Sequence, residues 1–287
     1  ELLTGISRPS LKPLPSCDCP ETTTAIVAPG AKLHPTVEVG PYAQIGPNVE
    51  IGENTVVGQC ANIGGWTTIG KNNVIHPHAI IGAPPQDLKY KGEKSYVKIG
   101  DNNHFREFST VHLAEGAEQV TQIGDNNLFM AYVHIAHNCV VGNNNVMSNA
   151  VALAGHVHVG NRAVLGGYSG YHQFVHIGDM CMIGGMSKVT KDIPPFIKID
   201  GNPAKVIGLN AVGLRRNGMP AESLANLKKL FKIFFRSDMN VSQVMEKWEE
   251  LVDANDPYVK IFHDFVKDST RGVIKKTRYS ATSSSED

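Results

Sequence analysis

The sequence lacks an excess of charge of either sign. Lys and Arg together number 27, Asp and Glu together number 27, and the formal net charge is zero. Net charge therefore gives no argument for a nucleic-acid partner or for attraction to a membrane surface. The chain also lacks any apolar run near the roughly 18 residues that a membrane span requires, so no transmembrane helix is predicted.

Cysteine is scarce, and its spacing shows no paired motif. The chain has five cysteines, Cys17, Cys19, Cys60, Cys139 and Cys181, and none belongs to a CxxC pair. An odd number without such pairs excludes a full disulfide framework and indicates a reducing compartment. The chain begins at Glu1, not Met, and residues 1–26 show no periodicity, so we expect an extended N-terminal arm there.

What the sequence does contain is a six-residue repeat. Stepping by six from Val27 to Val189 gives 28 positions, of which 25 carry a large apolar residue. Hydrophobic residues make up only 41% of the chain, so chance does not produce this alignment. A second register of small or β-branched residues lies four positions after each apolar one, as a second inward row would need.

A hexapeptide repeat is typical of a parallel β-helix, in which three six-residue faces make one triangular coil. Residues 18 apart then stack at roughly the 4.8 Å spacing of strands. We predict this β-helix over residues 27–200, with Asn127 and Asn145 stacked as a side-chain ladder. Two stretches, 83–98 and 113–122, break the frame and are predicted loops, which on a rigid scaffold are common carriers of function.

The C-terminal part changes to a helical period. We predict a connector at 201–218, a helical domain at 219–275 and a disordered tail at 276–287. Three helices are expected, beginning near Pro220, Asn240 and Pro257, because apolar residues then recur at helical spacing. Asn240 and Gln243 have the spacing of a capping box.

The histidines fall on the repeat in an ordered way. Counting in steps of 18 places His137, His156 and His172 along one corner of the prism. The same count puts Asn138 beneath His156 and Gly155 above His137, while His158 and His176 form a separate stack.

Three interpretations of this corner compete: surface histidines, a metal site and a general base. Three imidazoles could bind zinc, and the γ-class carbonic anhydrases, a related β-helix class, do so with a pair spaced His-x4-His. Here His134 and His137 are spaced His-x2-His, so that match fails, and no metal or other cofactor is expected. A general base is favoured, because imidazole titrates near neutral pH. A γ-carbonic-anhydrase-like metalloenzyme and a non-catalytic scaffold remain the alternatives.

Several motifs resemble one family closely. They are IGAPPQDLKYKGE at 81–93, HIAHNC at 134–139, LAGHV at 153–157, YHQF at 171–174, GLNAVGLRRNG at 208–218 and STRG at 269–272. The chain resembles the acyl-(acyl-carrier-protein)–UDP-N-acetylglucosamine O-acyltransferases, hexapeptide-repeat enzymes of lipid A biosynthesis, from about His34 to Arg271. The resemblance implies a left-handed β-helix and a homotrimer. It also implies transfer of a (3R)-3-hydroxyacyl group from acyl carrier protein to the 3-hydroxyl of UDP-N-acetylglucosamine.

The resemblance also implies roles for individual residues. His137 is the general base, the N–H of Gly155 stabilises the oxyanion, and Asp87 belongs with them as a catalytic residue. Gly185 stands at the position that limits acyl-chain length, and a glycine there predicts a long chain, roughly a 3-hydroxymyristoyl group. The remaining substrate-binding positions implied are Gln86, Lys89, His134, Asn138, His156, His172, Gln173, Asn210, Arg215 and Arg216, the last three near the uridine diphosphate.

Two positions depart from the family pattern. Asn138 stands where many members have Asp, and an amide carries no charge to stabilise an imidazolium. Val212 stands where bacterial members have Glu, which puts a uridine contact there in doubt. The extra N-terminal arm leads us to expect a processed organellar protein, in the mitochondrion if this is a plant form and otherwise in the cytoplasm.

Overall fold

The computed structural model describes residues 24–275 of the chain. The predicted tail at 276–287 lies outside the described residues, as does the predicted arm except for 24–26, where Ile26 already belongs to the first strand. The expected organellar location rested on that arm and stays a prediction.

Short strands separated by turns occupy the first three quarters of the described chain. The strands are β1 (Ile26–Val27), β2 (Lys32–Leu33), β3 (Glu38–Val39), β4 (Gln44–Ile45), β5 (Val49–Ile51), β6 (Val56–Val57), β7 (Asn62–Ile63), β8 (Trp66–Ile69), β9 (Val74–Ile75), β10 (Ile80–Ala83), β11 (Tyr96–Ile99), β12 (His104–Phe105), β13 (Thr110–His112), β14 (Val120–Ile123), β15 (Leu128–Phe129), β16 (His134–Ile135), β17 (Val140–Val141), β18 (Val146–Met147), β19 (Ala152–Leu153), β20 (His158–Val159), β21 (Val164–Leu165), β22 (Gly170–Tyr171), β23 (His176–Ile177), β24 (Met182–Ile183), β25 (Lys188–Val189), β26 (Ile197–Asp200) and β27 (Lys205–Leu209).

These strands form the three faces of a left-handed parallel β-helix. Sheet A runs from β1 through every third strand to β25, sheet B from β2 to β23, and sheet C from β3 to β24, followed by β26 and β27. Each strand pairs in parallel with the strand one coil later, so that Ile135 of β16 lies beside Leu153 of β19. We call the turns between successive sheets corner AB, corner BC and corner CA.

The core consists of the two inward rows that the repeat predicted. From Ile45 onward the apolar row is almost fully buried, and the small row, represented by Ala43, Val133 and Val151, is buried as well. Because Cβ atoms alternate across a strand, the residues between these rows face solvent or a partner.

The predicted asparagine ladder is confirmed and is longer than expected. Asn145 N–H donates to Asn127 Oδ1 at 2.8 Å, and the side chain of Asn127 donates to Asn103 Oδ1 at 2.9 Å. Asn103 in turn donates to Asn73 Oδ1 at 3.1 Å. Buried amides with all partners in place stabilise the interior of the coil.

The two excursions are shorter than the sequence predicted. Tyr96–Ile99 pairs residue for residue with Trp66–Ile69 and with Val120–Ile123, so 96–98 and 120–122 are strand and not loop. Alternation explains this result, since Val97 and Thr121 are fully buried between the outward residues. The segments that leave the coil are 84–95 and 113–119, and both leave at corner AB.

The predicted connector at 201–218 is also more ordered than expected. β27 pairs antiparallel with β26 after a tight turn, and helix α1 (Ala211–Arg216) follows, capped by the side chain of Asn210. The other helices are α2 (Ala221–Arg236), α3 (Val241–Glu246), α4 (Trp248–Leu251) and α5 (Pro257–Asp268).

The capping box of Asn240 and Gln243 is present, but the helix it begins is interrupted at Lys247 and continues as α4. The helices extend the apolar core of the β-helix, with Phe234 and Phe262 edge to face at 5.1 Å. Over residues 24–275, no helix is long and apolar enough to cross a membrane.

Candidate active site

Corner AB carries a column of stacked side chains on three successive coils. Asn138, His156 and Phe174 share one turn position with φ near 60°. The His156 N–H donates to the His137 carbonyl at 3.0 Å, and the Phe174 N–H donates to the Gly155 carbonyl at 3.2 Å. The ring of His156 stacks on Phe174 at 4.5 Å and meets the ring of His137 edge on at 5.2 Å.

His137 lies at the base of this column, directly against Gly155. A Cβ placed on Gly155 would lie 2.4 Å from both Cε1 and Nε2 of the His137 ring. No real Cβ tolerates that distance, so only glycine leaves room for the ring there. His137 is buried, with 6% of the residue exposed.

Asn138 determines which nitrogen of His137 carries the proton. Its side-chain amide donates to the Glu115 carbonyl at 3.0 Å, while its Oδ1 accepts the Glu115 N–H at 2.9 Å, which fixes the amide orientation. The same Oδ1 lies 2.9 Å from Nδ1 of His137. An amide oxygen only accepts, so Nδ1 is the donor, and in the neutral ring Nε2 has a lone pair.

The first excursion brings a carboxylate to that lone pair. Oδ2 of Asp87 lies 3.6 Å from Nε2 of His137, while Oδ1 accepts the N–H of Lys89 at 2.9 Å. The excursion is attached to the coil by Nδ1 of His112, which donates to the carbonyl of Pro84 at 2.7 Å. A base and an acceptor of hydrogen bonds therefore converge on one small volume.

The neighbouring histidines are held neutral. Burial, followed by the charges of His112 and His137, lowers the pKa of His134 to about 4. Burial likewise lowers the pKa of His112 and of His156. At neutral pH these imidazoles therefore act as hydrogen-bonding groups and not as cations, and Nδ1 of His134 shares a bond of 2.8 Å with the Thr110 hydroxyl.

Other predicted residues form the rim of the column. Gln86 and Lys89 are exposed on the first excursion, and His172 and Gln173 are exposed on the coil of Phe174. His172 lies at corner AB, as predicted, two residues before the stacking position. Phe174 takes the stacking place, because it is the residue 18 positions after His156.

Four predicted residues lie away from His137. Gly185 lies at corner CA, across sheet A, where a Cβ would be 3.3 Å from the Gly167 carbonyl oxygen. Asn210 donates to the Met180 carbonyl at corner BC, across sheet B, and Arg215 and Arg216 are exposed on the helix that Asn210 caps. One chain therefore does not bring Asn210 and the arginine pair together with its own His137. Val212 is 52% exposed on the same helix.

Among the described residues, no cysteine side chain is exposed at this corner. Cys139 and Cys181 are fully buried in the small inward row, and burial raises the pKa of each thiol to about 12. Between residues 24 and 275, no three His, Cys, Asp or Glu side chains form a group that could hold a metal ion.

Sequence reasoning missed two contributors to the site. Phe174 could have been found, since the same count by 18 that aligned Asn138 with His156 leads to it. The role of His112 could not, because its bond to Pro84 depends on how the first excursion folds back over the coil.

Comparison with known proteins gives matches along the chain. Residues 192–274 match a family model described as UDP N-acetylglucosamine O-acyltransferase, domain 2. Residues 30–65 and 121–155 match the bacterial transferase hexapeptide model.

Curated relatives and solved structures carry a consistent description. The acyl-(acyl-carrier-protein)–UDP-N-acetylglucosamine O-acyltransferase of Rippkaea orientalis is 54% identical over 204 residues, which are 71% of this chain and 73% of that one. The enzyme of the same description from Verminephrobacter eiseniae is 45% identical over 88% of this chain and 98% of its own. The solved structure of LpxA from Acinetobacter baumannii superposes with a TM-score of 0.85 at 39% identity, covering 88% of this chain and 98% of that chain.

Proposed function

The chain belongs to the family of acyl-(acyl-carrier-protein)–UDP-N-acetylglucosamine O-acyltransferases, and on that premise we infer that it transfers a (3R)-3-hydroxyacyl group from acyl carrier protein to the 3-hydroxyl of UDP-N-acetylglucosamine. This reaction is the first step of lipid A biosynthesis. Membership of the family does not favour the carbonic-anhydrase-like or the scaffold alternative.

The observation that supports a mechanism best is the fixed tautomer of His137. Nε2 takes the proton of the 3-hydroxyl while that oxygen attacks the thioester carbonyl. The new C–O bond forms, the C–S bond breaks, and the proton passes from Nε2 to the departing thiolate of acyl carrier protein. Asp87, 3.6 Å from Nε2, orients the acceptor by accepting from a sugar hydroxyl.

The N–H of Gly155 is the proposed oxyanion donor. Its support is position: the ring of His137 lies against this residue, so a substrate carbonyl near Nε2 also lies near its backbone. A hydrogen-bond donor aimed at the charge that develops on the carbonyl oxygen lowers the barrier most. The residues proposed to surround the reacting groups are Gln86, Lys89, His134, Asn138, His156, His172 and Gln173.

The proposed path of the acyl chain crosses the outside of sheet A toward Gly185. The outward residues after His134 are Ala152 and Gly170, which are small, and a Cβ on Gly170 would meet nothing within 4 Å. Gly185 lies at the far edge of this strip, next to Gly167. A glycine there supports a long donor chain, and Gly185→Met is expected to shift preference toward shorter donors.

A homotrimer is proposed because one chain leaves the site incomplete. Asn210, Arg215 and Arg216 fit the uridine diphosphate, and Arg suits phosphate since its planar fork donates bidentately. They lie at a different corner from their own His137, so a neighbouring copy is needed to bring them to it. A ring of three copies related by a rotation axis would do this for every site.

The test is an acyl-transfer assay with UDP-N-acetylglucosamine and hydroxyacyl carrier proteins of several chain lengths. His137→Gln is expected to fold normally and to lose transfer by a factor of about 100 or more, the scale on which general bases contribute. His158→Gln, which alters a histidine on the outside of sheet B, is the matched control. Turnover near wild type in His137→Gln, measured with an unchanged melting temperature, would remove the base assignment.

A further inference from the structure

The C-terminal segment that follows α5 returns to the β-helix and is fixed there. Ser269 Oγ donates to Asp192 Oδ2 at 2.6 Å, the Asp192 N–H donates to the Gly272 carbonyl at 3.2 Å, and the Ile274 N–H donates to the Asp192 carbonyl at 2.8 Å. Asp192 is 1% exposed. A buried carboxylate with such partners positions a segment well, because leaving any of them unpaired is costly.

This segment carries Arg271 to the outer end of corner AB. Its Nη2 and Nε contact the carbonyl of Thr190 at 3.2 and 3.4 Å, and Nη2 also lies 3.3 Å from Nδ1 of His172. Nδ1 of His172 also lies 3.2 Å from the carbonyl of Gln173, so this ring nitrogen sits between a donor and an acceptor. Among residues 24–275 these contacts use Nε and Nη2, and the Nη1 edge of Arg271 is left for another ligand.

The position of Arg271 matches one anion of the two substrates. His172 lies two coils beyond His137, and coils are spaced by about 4.8 Å, which gives roughly 10 Å between them. Five bonds join the reacting 3-oxygen of the sugar to the nearer phosphorus of the nucleotide, whereas about 14 join the thioester carbon to the phosphorus of the carrier's pantetheine arm, at roughly 1.5 Å per bond. The nucleotide diphosphate is therefore the group within reach.

We propose that Arg271, held beside His172, binds the diphosphate of the acceptor nucleotide sugar. This proposal rests on the proposed function and adds a cation to it. Unlike Arg215 and Arg216, Arg271 reaches the His137 corner of its own chain. Arg271 of one chain and Arg215 and Arg216 of a neighbouring copy would then contact the diphosphate from opposite sides. This arrangement would hold the sugar with its 3-hydroxyl at Nε2 of His137.

The test compares Arg271→Gln and Arg271→Lys with the wild type, and with Lys191→Gln as a control for an exposed neighbouring cation. Arg271→Gln is expected to raise KM for UDP-N-acetylglucosamine by about 10- to 100-fold, the range for one charged hydrogen bond. The kcat and the KM for the acyl carrier protein should stay within about twofold. Arg271→Lys should recover part of the loss, because it restores the charge without the fork.

Calorimetric titration with UDP and with uridine distinguishes a direct contact of Arg271 with the diphosphate from a general structural effect of the substitution. Arg271→Gln should weaken UDP binding and leave uridine binding as in the wild type. Equal weakening of both ligands, or an unchanged KM for the nucleotide sugar, would overturn the proposal. A wild-type protein that transfers no acyl group would instead count against the proposed function, so the two failures are distinguishable.

Discussion

At the scale of single residues, the reactivity of His137 depends on two neighbouring residues, Asn138 and Gly155. Asn138 fixes the tautomer and Gly155 makes room for the ring. An Asp in place of Asn138 would accept the same hydrogen bond and add a charge. The amide shows that orientation of the imidazole needs only an acceptor.

Gly155→Ala is expected to inactivate the enzyme without unfolding it. The added Cβ would lie 2.4 Å from two ring atoms of His137, and the side chain can swing away at little cost to the fold. Displacement of a base by about 1 Å costs roughly 100-fold in rate. Gly208→Ala is the control, because its Cβ meets nothing within 4 Å. Equal rates for Gly155→Ala and the wild type would show that the ring has another place to lie.

His134 should make stability depend on pH. Its pKa is lowered from 6.5 to about 4, chiefly by burial. Between those values the unfolded chain binds a proton that the folded chain does not, so the free energy of unfolding rises with pH up to about 6.5. In urea unfolding at pH 5 and pH 7, His134→Gln should show a smaller difference than the wild type. An unchanged difference would assign the effect to other groups.

At the scale of elements, the strands owe their order to an internal ladder as well as to the apolar row. Oδ1 of Asn127 accepts the backbone N–H of Asn145, and its amide also donates to the Gly142 carbonyl at 2.9 Å. A second ladder outside, at corner BC, joins Asn143, Asn161 and Asp179 in the same geometry but in contact with solvent.

These two ladders allow a matched comparison. Asn127→Ala leaves buried donors and acceptors without partners and is expected to cost about 2–5 kcal/mol in the free energy of unfolding. Asn161→Ala removes equivalent bonds where water replaces them and should cost less than about 1 kcal/mol. Urea unfolding at one fixed chain concentration measures both. Similar losses in the two variants would mean that burial does not set the strength of the ladder.

The strands could be predicted because the repeat is strictly local. The position of a residue within its six-residue unit predicts whether it faces inward. Counting by 18 then gives the neighbours of His137. It also predicts the stack of His158 on His176, whose ring centroids lie 4.5 Å apart. The excursions were harder, because Val97 and Thr121 alternate within segments that break the frame. The contacts of Pro84 with His112 and of Arg271 with His172 join distant parts of the chain, and no periodicity encodes them.

At the scale of the whole molecule, corner CA carries exposed apolar side chains on several coils of the β-helix. Tyr132, Tyr168 and Met186 are 60%, 71% and 74% exposed there, and the rings of Phe108 and Tyr132 stack at 5.1 Å. Several outward residues of the adjoining sheet C are apolar as well, including Val146 and Val164, although Glu38 and His104 are not. Exposed apolar side chains grouped on one edge are typical of a protein interface.

A homotrimer with corner CA near its axis would cover this surface, so Phe108→Lys combined with Tyr132→Lys should produce a monomer. Light scattering measures the mass, and the separated chain should lose transfer activity while keeping its circular dichroism. Tyr42→Lys is the control, because Tyr42 lies in the first coils of corner CA, where fewer neighbouring coils add to the interface, and it should weaken the trimer less. A double variant that stays trimeric and active would place the interface elsewhere.

Mixing two inactive variants tests whether each site draws on two chains. His137→Ala lacks the base, and Arg215→Ala combined with Arg216→Ala lacks the diphosphate contact at the other corner. In randomly mixed trimers each site takes its base from one chain and its arginine pair from the next, so about a quarter of the sites are intact. Co-expression should therefore restore about a quarter of the wild-type rate, whereas either variant alone should remain inactive. If base and arginines act within one chain, the mixture will contain no intact site and will stay as inactive as its components.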